Sequence, residues 1–466
     1  MPQVKMYDND KITMIECNPG AILSDILNLK HFHVALPCGG QGRCEKCTVD
    51  VNGRDVLACK YRVESNVEVR LNSIKKPNFG TINSAENGGS FGIAIDLGTT
   101  NISASLVDLK SNKIIETIEI INKQSAYGAD VLSRVMNSRR SLQVMHETTS
   151  RQILEIKNAF KLSKFSPCII CGNSIMMHIL ANVDPAPLGA YPFEMKEFFG
   201  REIASDYLTR CVSSFIGGDI LCGIFSTEML TNRGNSLLVD IGTNTEIVLK
   251  YGDELIAASA PAGPAFEGVG LKMGMAASAG AINSVRLEND RVVYKTVENA
   301  PAIGICGSGI VDVIAVFRKL NLIDENGAIN SEIESEYIAK YGDKIYLKFG
   351  DVIITCEDIQ QIMLAKSAIR AAIDVVLNNR ILETVYLAGE FGKHLNLQSA
   401  LKVGLFPPDF AGKVQIVENA ALTGAAKILC NKNLKAKSVE IAQKINVINL
   451  TENENFGQIF IENLRL

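Results

Sequence analysis

The sequence predicts a small α+β domain, a linker and a larger α/β domain of two lobes. A loop rich in cysteine and glycine lies near the N-terminus, between short stretches of alternating apolar residues. Further on the periodicity stops and Pro, Gly, Asn and Ser become frequent, as is typical of a linker. Two later stretches share one form, an apolar strand that ends in Asp-x-Gly-Thr, and this repetition indicates two related lobes. The predicted boundaries are residues 1–74 for the first domain, 75–90 for the linker, and 91–235 and 236–466 for the lobes.

The N-terminal domain is predicted to consist of strands around one helix and the cysteine loop. Pro19 and Gly20 precede a segment in which apolar residues recur at helical spacing. Asn52 and Gly53 separate two alternating stretches, which is a strong hairpin signal. The predicted strands are residues 4–7, 12–17, 48–51 and 67–71, and the predicted helix is 21–29.

Four cysteines of this domain have the spacing of an iron–sulfur ligand set. Cys38 and Cys44 are separated by five residues, Cys47 follows after two more, and Cys59 after a further eleven. Four thiolates can hold a [2Fe–2S] centre, and the glycines between them let the backbone donate N–H groups to the cluster sulfurs. Buried structural cysteines do not cluster in a Gly-Gly-x-Gly loop, and a zinc site usually combines two short C-x2–4-C pairs. The pattern therefore favours a cluster, with these four residues as iron ligands.

Composition and charge exclude several classes of function. At 466 residues the chain is too long for a single core. Its net charge of -4 and pI near 5.9 leave no basic excess for nucleic acid. No apolar run approaches the roughly 18 residues that span a bilayer, and Met1 leads into a strand pattern rather than a secretory leader. We therefore expect a cytoplasmic protein without a nucleic-acid or membrane partner.

The two repeated stretches have the features of phosphate-binding hairpins. In each, an Asp at a strand end can hold Mg²⁺, directly or through water. The Gly lets the turn close, and the Thr hydroxyl and turn N–H groups can meet phosphate oxygens. One Asp-x-Gly-Thr occurs by chance, but two copies at strand ends favour a duplicated lobe with nucleotide between the halves over two unrelated hairpins. The predicted binding residues are Gly98, Thr99, Thr100, Asn101, Gly242, Thr243 and Asn244, with Asp96 and Asp240 as magnesium ligands and catalytic residues.

Further turns are candidates for the same site. A predicted buried strand leads into Gly389, Glu390 and Gly392, where the glycines would let the backbone pass close to an adenine or ribose. Gly263 lies beside the second hairpin at the start of a helix, whose N-terminus would favour phosphate. Asp219 follows a strand-to-helix turn and is a candidate to position the attacking water. For the last two, a turn dictated by packing explains the sequence equally well.

The order of these elements resembles two known folds. The N-terminal pattern resembles the β-grasp ferredoxin fold of plant-type [2Fe–2S] proteins, although the second cysteine gap is shorter and the fourth cysteine comes sooner. The two hairpins followed by a strand and glycine turn resemble the actin-like (ribonuclease H-like) ATPase superfamily. Neither a Walker A loop nor a Rossmann G-x-G-x-x-G follows an early strand. The implied fold class is α+β and α/β, with a β-grasp ferredoxin domain followed by a two-lobed actin-like ATPase domain.

The combination of an electron carrier with an ATPase narrows the function. ATP does not help a downhill electron transfer, so the pairing implies an uphill reduction. Each tenfold shift in the equilibrium constant of that transfer needs about 59 mV, or about 1.4 kcal/mol, for one electron. The arrangement resembles the reductive activators of corrinoid proteins, which use ATP to return cob(II)amide to the methyl-accepting cob(I)amide state. The resemblance is carried by residues 37–47, 59, 96–101, 127–134, 172–178, 240–246, 261–268, 305–309 and 388–392.

This resemblance implies specific cofactors and partners. They are a [2Fe–2S] cluster, ATP with Mg²⁺, a corrinoid protein of a methyltransferase system and an external low-potential electron donor, and a homodimer is expected. Some members of the family have a sizeable extra domain between ferredoxin and ATPase, where this chain has only a linker.

Two other functions stay open at this point. Activators of the 2-hydroxyacyl-CoA dehydratase type are also actin-like ATPases that drive electrons uphill, but they resemble only the ATPase half and hold a [4Fe–4S] cluster between two subunits. A redox-sensing regulator would use the cluster to gate nucleotide-dependent association without turnover. A sugar kinase is disfavoured, because phosphoryl transfer needs no electron carrier.

Overall fold

The structure, a computed structural model, describes residues 1–8, 11–29, 32, 34, 47–70, 90–128, 130–289, 291–342 and 344–466. Contacts divide the chain into two compact units, Met1–Asp219 with Ala425–Val439 and Ile220–Gly424 with Glu440–Leu466. The sequence placed a single lobe boundary between residues 235 and 236. In the structure a late segment, Ala425–Val439, packs with the first unit.

The N-terminal domain is built on a mixed sheet. Its elements are β1 (Gln3–Asp8), β2 (Lys11–Glu16), β3 (Ala21–Ile22), α1 (Leu23–Leu29), β4 (Thr48–Val51), β5 (Arg54–Leu57), β6 (Arg62–Val63) and β7 (Val67–Arg70). The sheet order is β2-β1-β7-β4-β5, in which β1 and β7 are parallel and the other neighbours antiparallel. Val4, Met6, Leu23, Leu27 and Val69 are fully buried, so the helix and the sheet share one core. This arrangement confirms the predicted β-grasp fold.

Two local predictions in this domain have different outcomes. The predicted helix begins two residues late, at Leu23, because Ala21–Ile22 pairs with Arg62–Val63 as a short strand. The hairpin turn is confirmed, since Asn52 and Gly53 both have positive φ, 52° and 80°, as a two-residue type I′ connection requires. The end of the last predicted strand, residue 71, lies outside the described residues.

The first lobe contains a central sheet flanked by helices. Its elements are β8 (Phe91–Leu97), β9 (Asn101–Asp108), β10 (Lys113–Ile121), α2 (Val131–Ala159), β11 (Cys168–Gly172), α3 (Ser174–Leu180), β12 (Arg201–Ile203) and β13 (Asp206–Leu208), and the boundary between the two units falls within the next helix, α4 (Gly218–Ser226). The sheet order is β10-β9-β8-β11-β13-β12. β11 is buried along its whole length because both faces of the sheet are covered.

The rest of the chain supplies a second central sheet, two small sheets and further helices. Its strands are β14 (Ser236–Ile241), β15 (Thr245–Tyr251), β16 (Glu254–Ala260), β17 (Ala281–Glu288), β18 (Arg291–Thr296), β19 (Gly304–Ile305), β20 (Ile338–Tyr341), β21 (Lys344–Phe349), β22 (Val352–Ile354), β23 (Thr384–Ala388), β24 (Val414–Ile416) and β25 (Asn446–Val447). Its helices are α5 (Gly307–Lys319), α6 (Cys356–Leu377), α7 (Glu390–His394), α8 (Leu397–Lys402), α9 (Ala420–Cys430), α10 (Lys432–Lys444) and α11 (Phe456–Glu462). The small sheets are β18-β17-β19 and β20-β21-β22, and the central sheet is β24-β23-β14-β15-β16-β25.

The two central sheets repeat one topology. In the first, β8 pairs antiparallel with β9, β9 with β10 likewise, and β11 and β13 follow in parallel on the other side of β8. In the second, β14, β15, β16, β23 and β24 repeat the same pattern of directions. The internal duplication predicted from the Asp-x-Gly-Thr repeat is confirmed at the level of the sheet. None of the helices in the described residues is long and apolar enough to cross a membrane.

A buried ion pair anchors the C-terminal end of α2 within the first unit. The Lys157 ammonium lies 2.5 Å from the Asp206 carboxylate at the start of β13 and donates to the Lys164 carbonyl at 3.0 Å. The Lys157 side chain is 4% exposed. Removing the cation alone would leave a largely buried carboxylate and a carbonyl without their donor.

We expect Lys157→Met to lower the free energy of unfolding by about 3 kcal/mol. Urea unfolding followed by circular dichroism measures this loss. The matched control is Lys444→Met, which removes an exposed pair with Glu440 on one helix and is expected to cost less than about 0.5 kcal/mol. Equal effects of the two variants would contradict the buried role of Lys157.

Candidate functional site

The β4–β5 hairpin brings two of the predicted iron ligands together. Thr48 pairs with Leu57, and the Ala58 N–H donates to the Cys47 carbonyl at 3.0 Å. Cys59 follows Ala58 directly, and the Sγ atoms of Cys47 and Cys59 lie 3.2 Å apart, with both residues buried. A disulfide needs about 2.05 Å, whereas two thiolates on one tetrahedral metal, each about 2.3 Å from it, lie about 3.8 Å apart. The pair therefore fits a shared metal better than a disulfide.

The other two predicted ligands, Cys38 and Cys44, lie outside the described residues. Within the part of the chain that the structure describes, no group of three or more His, Cys, Asp or Glu side chains could hold a metal ion. The assignment of all four cysteines stays a prediction, and the Cys47–Cys59 geometry is compatible with it.

In the first hairpin, buried donors hold the loop of residues 98–100 from behind. The Asn122 side-chain amide donates to the Gly98 carbonyl at 2.8 Å, and the Asn122 backbone N–H donates to the Thr100 carbonyl at 2.8 Å. The Arg134 guanidinium donates to the Thr99 carbonyl. All three loop carbonyls are thus engaged, while no described residue accepts a hydrogen bond from the three loop N–H groups. Successive free N–H groups of this kind form an anion-binding concavity.

Arg134 is a buried cation directly behind this loop. Its side chain has no exposed surface, and its other donors go to the Gly128 carbonyl at 3.0 Å and to the Met176 sulfur at 3.1 Å. Burial lowers the pKa of Arg134 to about 10, and the charge of Asp130 opposes the shift. The guanidinium therefore stays charged at neutral pH.

The hydroxyl of Thr99 has a defined role in the hydrogen bonding of this loop. Asn173 caps α3 by accepting from the Met176 N–H through its side-chain oxygen, which leaves its side-chain nitrogen to face Thr99. That nitrogen donates to the Thr99 Oγ1 at 3.0 Å. Since Thr99 accepts this bond, its own O–H remains available as a donor.

The predicted carboxylates of the first lobe lie near the end of β11. Asp96 is opposite Cys171 in the parallel register, and its Oδ1 lies 4.0 Å from the Cys171 Sγ. Asp219 is in the first turn of α4. A Cβ on Gly217 would lie 2.5 Å from the Asn173 Cα, so the segment before Asp219 packs tightly beside the first hairpin. The catalytic roles of both carboxylates stay predictions.

The second hairpin uses its donors differently. The Gly242 N–H donates within the turn to the Asn244 carbonyl at 3.0 Å. The Thr243 Oγ1 donates to the Glu267 Oε1 at 2.6 Å. Asp240, at the end of β14, lies opposite Glu246 in the antiparallel register. In this loop the hydroxyl proton is already committed to a carboxylate.

Glu267 ends a short 3₁₀ turn, Pro264–Glu267, that close packing holds in place. The Phe266 ring stacks on Phe391 with centroids 4.6 Å apart. A Cβ on Gly307 would lie 1.9 Å from the Phe266 carbonyl oxygen, so α5 begins directly against the turn. Burial raises the pKa of the Glu267 carboxyl above its usual range, and the hydrogen bond from Thr243 opposes that shift. The sequence had singled out this turn through Gly263 and not through its carboxylate.

Gly389 is required by close packing on the second hairpin. Its φ is +87°, and a Cβ there would lie 2.3 Å from the Ile241 carbonyl oxygen and 2.8 Å from the Asp240 Oδ1. The sequence predicted that this glycine admits an adenine or ribose. The structure supplies a different physical reason, since the absence of a side chain lets β23 turn beside the predicted magnesium ligand.

The remaining predicted residues pack less closely against the hairpins. Glu390 is exposed and faces His394 one turn along α7, with Oε1 and Nε2 3.2 Å apart. Gly392 packs on the side chain of Leu387 in β23. Gly263 has a φ of +71° but no heavy atom within 4 Å of its Cβ position. Their binding roles stay predictions.

Sequence reasoning missed the side chains that hold the two loops. Arg134 and Glu267 lay inside segments that it had marked, but their carbonyl and hydroxyl partners were not foreseen. Asn122 gave no signal, because it stands alone after a strand. Asn173 had a detectable signal, since an Asn before an apolar helical run is typical of a helix N-cap.

Known proteins resemble nearly the whole chain. Residues 234–466 match the family described as the C-terminal domain of RACo, the ASKHA domain, and residues 91–232 match the RACo middle region. A corrinoid activation enzyme, RamQ, from Eubacterium limosum is 25% identical over 575 residues, which cover 96% of this chain and 97% of that protein. That alignment is longer than the 466 residues of this chain, so the relative has segments that are missing here.

Two further comparisons agree with this result. A Methanosarcina barkeri protein named Co(II) methylated amine-specific corrinoid protein reductase is 28% identical over 429 residues, 80% of this chain and 76% of that one. Among solved structures, a reductive activator for a corrinoid, iron–sulfur protein superposes with a TM-score of 0.70 at 25% identity and covers 100% of this chain and 98% of its own. The fold and family predicted from the sequence are confirmed.

We expect Gly389→Ala to destabilise the protein more than Gly263→Ala. Both glycines have a positive φ with an extended ψ, 154° and 175°, in which a side chain is strained by about 1–3 kcal/mol. Only the Cβ at position 389 also collides with the Ile241 carbonyl. Urea unfolding of the two variants compares the effects, and equal losses would show that the close approach is unimportant.

Proposed function

This chain belongs to the RACo family, and we propose that it is an ATP-dependent reductive activator that returns a corrinoid protein from the cob(II)amide to the cob(I)amide state. One electron is transferred to the partner's cobalt in each event. The observation that carries the proposal is the presence, in one chain, of a duplicated ATPase fold and a β-grasp domain with a buried pair of cysteine sulfurs. Relatives that match along most of their own length are named for work on corrinoid proteins.

The β-grasp domain is proposed to hold a [2Fe–2S] cluster on Cys38, Cys44, Cys47 and Cys59. When bound, such a cluster exchanges single electrons with a donor and an acceptor. Cys47 and Cys59 would hold the same iron, because their sulfurs already lie 3.2 Å apart. Their burial restricts water at that side of the cluster.

The two lobes are proposed to bind ATP with Mg²⁺ and to make the uphill electron transfer dependent on it. The residues fit this role, because the loop of the first hairpin exposes N–H donors and each hairpin begins at an Asp. Asp96 and Asp240 would hold the cation, and Asp219 would position the attacking water. A change in the protein's grip on its redox partner during the ATP cycle can shift the partner's effective potential.

The cellular setting of this reaction is part of the proposal. An external low-potential donor would reduce the cluster, and the corrinoid partner would belong to a methyltransferase system. We place the protein in the cytoplasm and propose that it acts as a homodimer.

The two alternative functions, a dehydratase-type activator and a regulator without turnover, are less well supported. An activator of the 2-hydroxyacyl-CoA dehydratase type would not need the β-grasp domain, whose fold is present here. A regulator without turnover would bind nucleotide, yet it would not hydrolyse it faster with a partner. ATPase activity that rises on addition of a cob(II)amide protein distinguishes the activator from the regulator.

We expect Cys59→Ala and Asp240→Ala to separate the two halves of the reaction. Cys59→Ala removes a ligand, so the visible absorption of the cluster and the formation of cob(I)amide should fall at least tenfold while nucleotide binding persists. Asp240→Ala should keep the cluster spectrum but lose the ATP dependence of cob(I)amide formation. Electron paramagnetic resonance, calorimetry with nucleotide and the absorbance of cob(I)amide provide the three measurements.

The matched control is Cys430→Ala, which removes a half-buried thiol outside the cluster domain. It should leave all three measurements unchanged. A full cluster in Cys59→Ala would refute the ligand assignment. No ATP-dependent cob(I)amide signal from the wild-type protein with any corrinoid partner offered would refute the proposed function.

A further inference from the structure

An exposed surface of aromatic and apolar side chains lies on the first unit, Met1–Asp219 with Ala425–Val439. Tyr191 is 76% exposed, Phe215 is exposed, and the half-buried ring of Phe193 lies against both. Leu132 and Met136, one turn apart on α2, are also exposed, the second by 73%. We call these five residues the aromatic patch. Clustered apolar side chains at a surface mark contact sites, whereas single ones are ordinary.

Contacts bring the loop part and the helix part of the patch together. The Phe193 ring lies edge-on to Tyr191 and Phe215, with centroids 6.2 and 5.0 Å away. The loop that carries the first ring leaves α2 at Gly189, where a Cβ would lie 2.6 Å from the Val135 Cγ1. Val135 lies between the two patch residues of α2 in the sequence. The rings therefore begin beside the exposed side of that helix.

The middle ring of the patch is held by a strained backbone. Phe193 has a φ of +58°, a left-handed conformation that bulky residues rarely adopt. Its N–H donates to the Ala190 carbonyl at 2.7 Å, and the Ser214 hydroxyl donates to its carbonyl. Such conformations persist only where the surroundings enforce them, and they are concentrated at functional sites. A ring that is already fixed loses little freedom when a partner binds.

Two arginines adjoin the patch and determine the charge of its rim. Arg139 and Arg140 follow Met136 by three and four residues on α2, which places them on the same side of the helix. Both are exposed, and among the residues that the structure describes neither is paired with a carboxylate. Glu194 and Lys196, on the loop, are exposed as well and add one charge of each sign. The rim therefore has a net positive charge.

We propose that the aromatic patch is the surface on which the corrinoid protein docks, through an apolar side chain flanked by carboxylates. This inference rests on the proposed function, which supplies the partner. Tyr, Phe, Met and Arg are the side chains enriched where protein interfaces are most deeply buried. A second copy of this chain is a poorer occupant, because a two-fold contact at this surface would bring the arginines of both copies together.

The patch shares a loop with the candidate nucleotide site. Phe215 lies in the segment 211–219, which packs beside the first hairpin, since a Cβ on Gly217 would lie 2.5 Å from the Asn173 Cα. The Asn173 amide in turn donates to the Thr99 hydroxyl at 3.0 Å. A protein bound to the patch would thus contact a segment that also borders the hairpin. All of these residues belong to one unit.

The test measures the rate of ATP-dependent cob(I)amide formation by the full chain against the concentration of a purified corrinoid protein in its cob(II)amide form. Tyr191→Ala and Phe215→Ala should each raise the half-saturating concentration about tenfold or more. The double variant Arg139→Glu with Arg140→Glu should do the same and should remove the loss of affinity that salt causes in the wild-type protein. For Tyr191→Ala, the rate at saturation and the ATPase rate without partner should stay within about twofold of wild type.

The matched control has the same composition as the patch but lies beyond the other end of α2. Phe165 is 72% exposed, and the Lys164 ammonium lies 4.9 Å from the centre of its ring. Phe165→Ala and Lys164→Glu should leave the half-saturating concentration within about twofold of wild type, because surface substitutions away from a contact have small effects.

The outcomes separate this inference from the proposed function. If wild-type protein reduces the corrinoid protein and no patch variant changes the half-saturating concentration, docking occurs elsewhere and the proposed function stands. A lower rate at saturation in Tyr191→Ala, with half-saturation unchanged, would assign the patch to the chain's own N-terminal domain. Conversion of a dimer to a monomer by Tyr191→Ala in analytical ultracentrifugation would assign it to a second copy. If wild-type protein reduces no corrinoid protein offered, the inference and the proposed function are both wrong.

Discussion

The candidate nucleotide site depends first on the hydrogen bonds that bury the carbonyls of residues 98–100. A backbone turn has equal numbers of donors and acceptors, so it favours an anion only when its acceptors are otherwise occupied. Here Asn122 and Arg134 occupy all three carbonyls from the protein side. Keeping a guanidinium fully buried is costly unless its donors are satisfied, and each of its three nitrogens donates to one acceptor, the Thr99 carbonyl, the Gly128 carbonyl or the Met176 sulfur. The same hydrogen bonds therefore stabilise the buried arginine and leave the loop with donors for an anion.

The duplicated sheet explains how one chain acquires two such loops, and the surrounding side chains explain why they differ. Five strands of each central sheet agree in order and direction, so both Asp-x-Gly-Thr turns emerge at equivalent positions. What lies behind each turn comes from elements outside the repeat, α2 in the first lobe and the Pro264–Glu267 turn in the second. The two lobes therefore share a framework of strands but differ in the charge of the side chain that packs behind the loop.

The position of the cysteine pair likewise depends on the strand framework, in this case on the β4–β5 hairpin. Asn52 and Gly53 close the β4–β5 hairpin, and its register places Cys47 opposite Ala58 at the open end, one residue before Cys59. A one-residue slip of that register would turn one side chain to the opposite face of the sheet. The turn therefore helps to bring the two cysteines together, although it lies at the other end of the hairpin.

The sequence alone determined features that are written in short segments, such as the Asn52-Gly53 turn and the two strands that end in Asp-x-Gly-Thr. Local chemistry is sufficient there, because a few adjacent residues define the conformation. Only the tertiary structure decided which side chains hold the loops, since the partners of Thr99 and Thr243 lie 35 and 24 residues away along the chain. Arg134 on a helix and Glu267 at a turn look like ordinary surface charges in sequence. Their burial, and hence their electrostatic effect, arises only when distant elements pack around them.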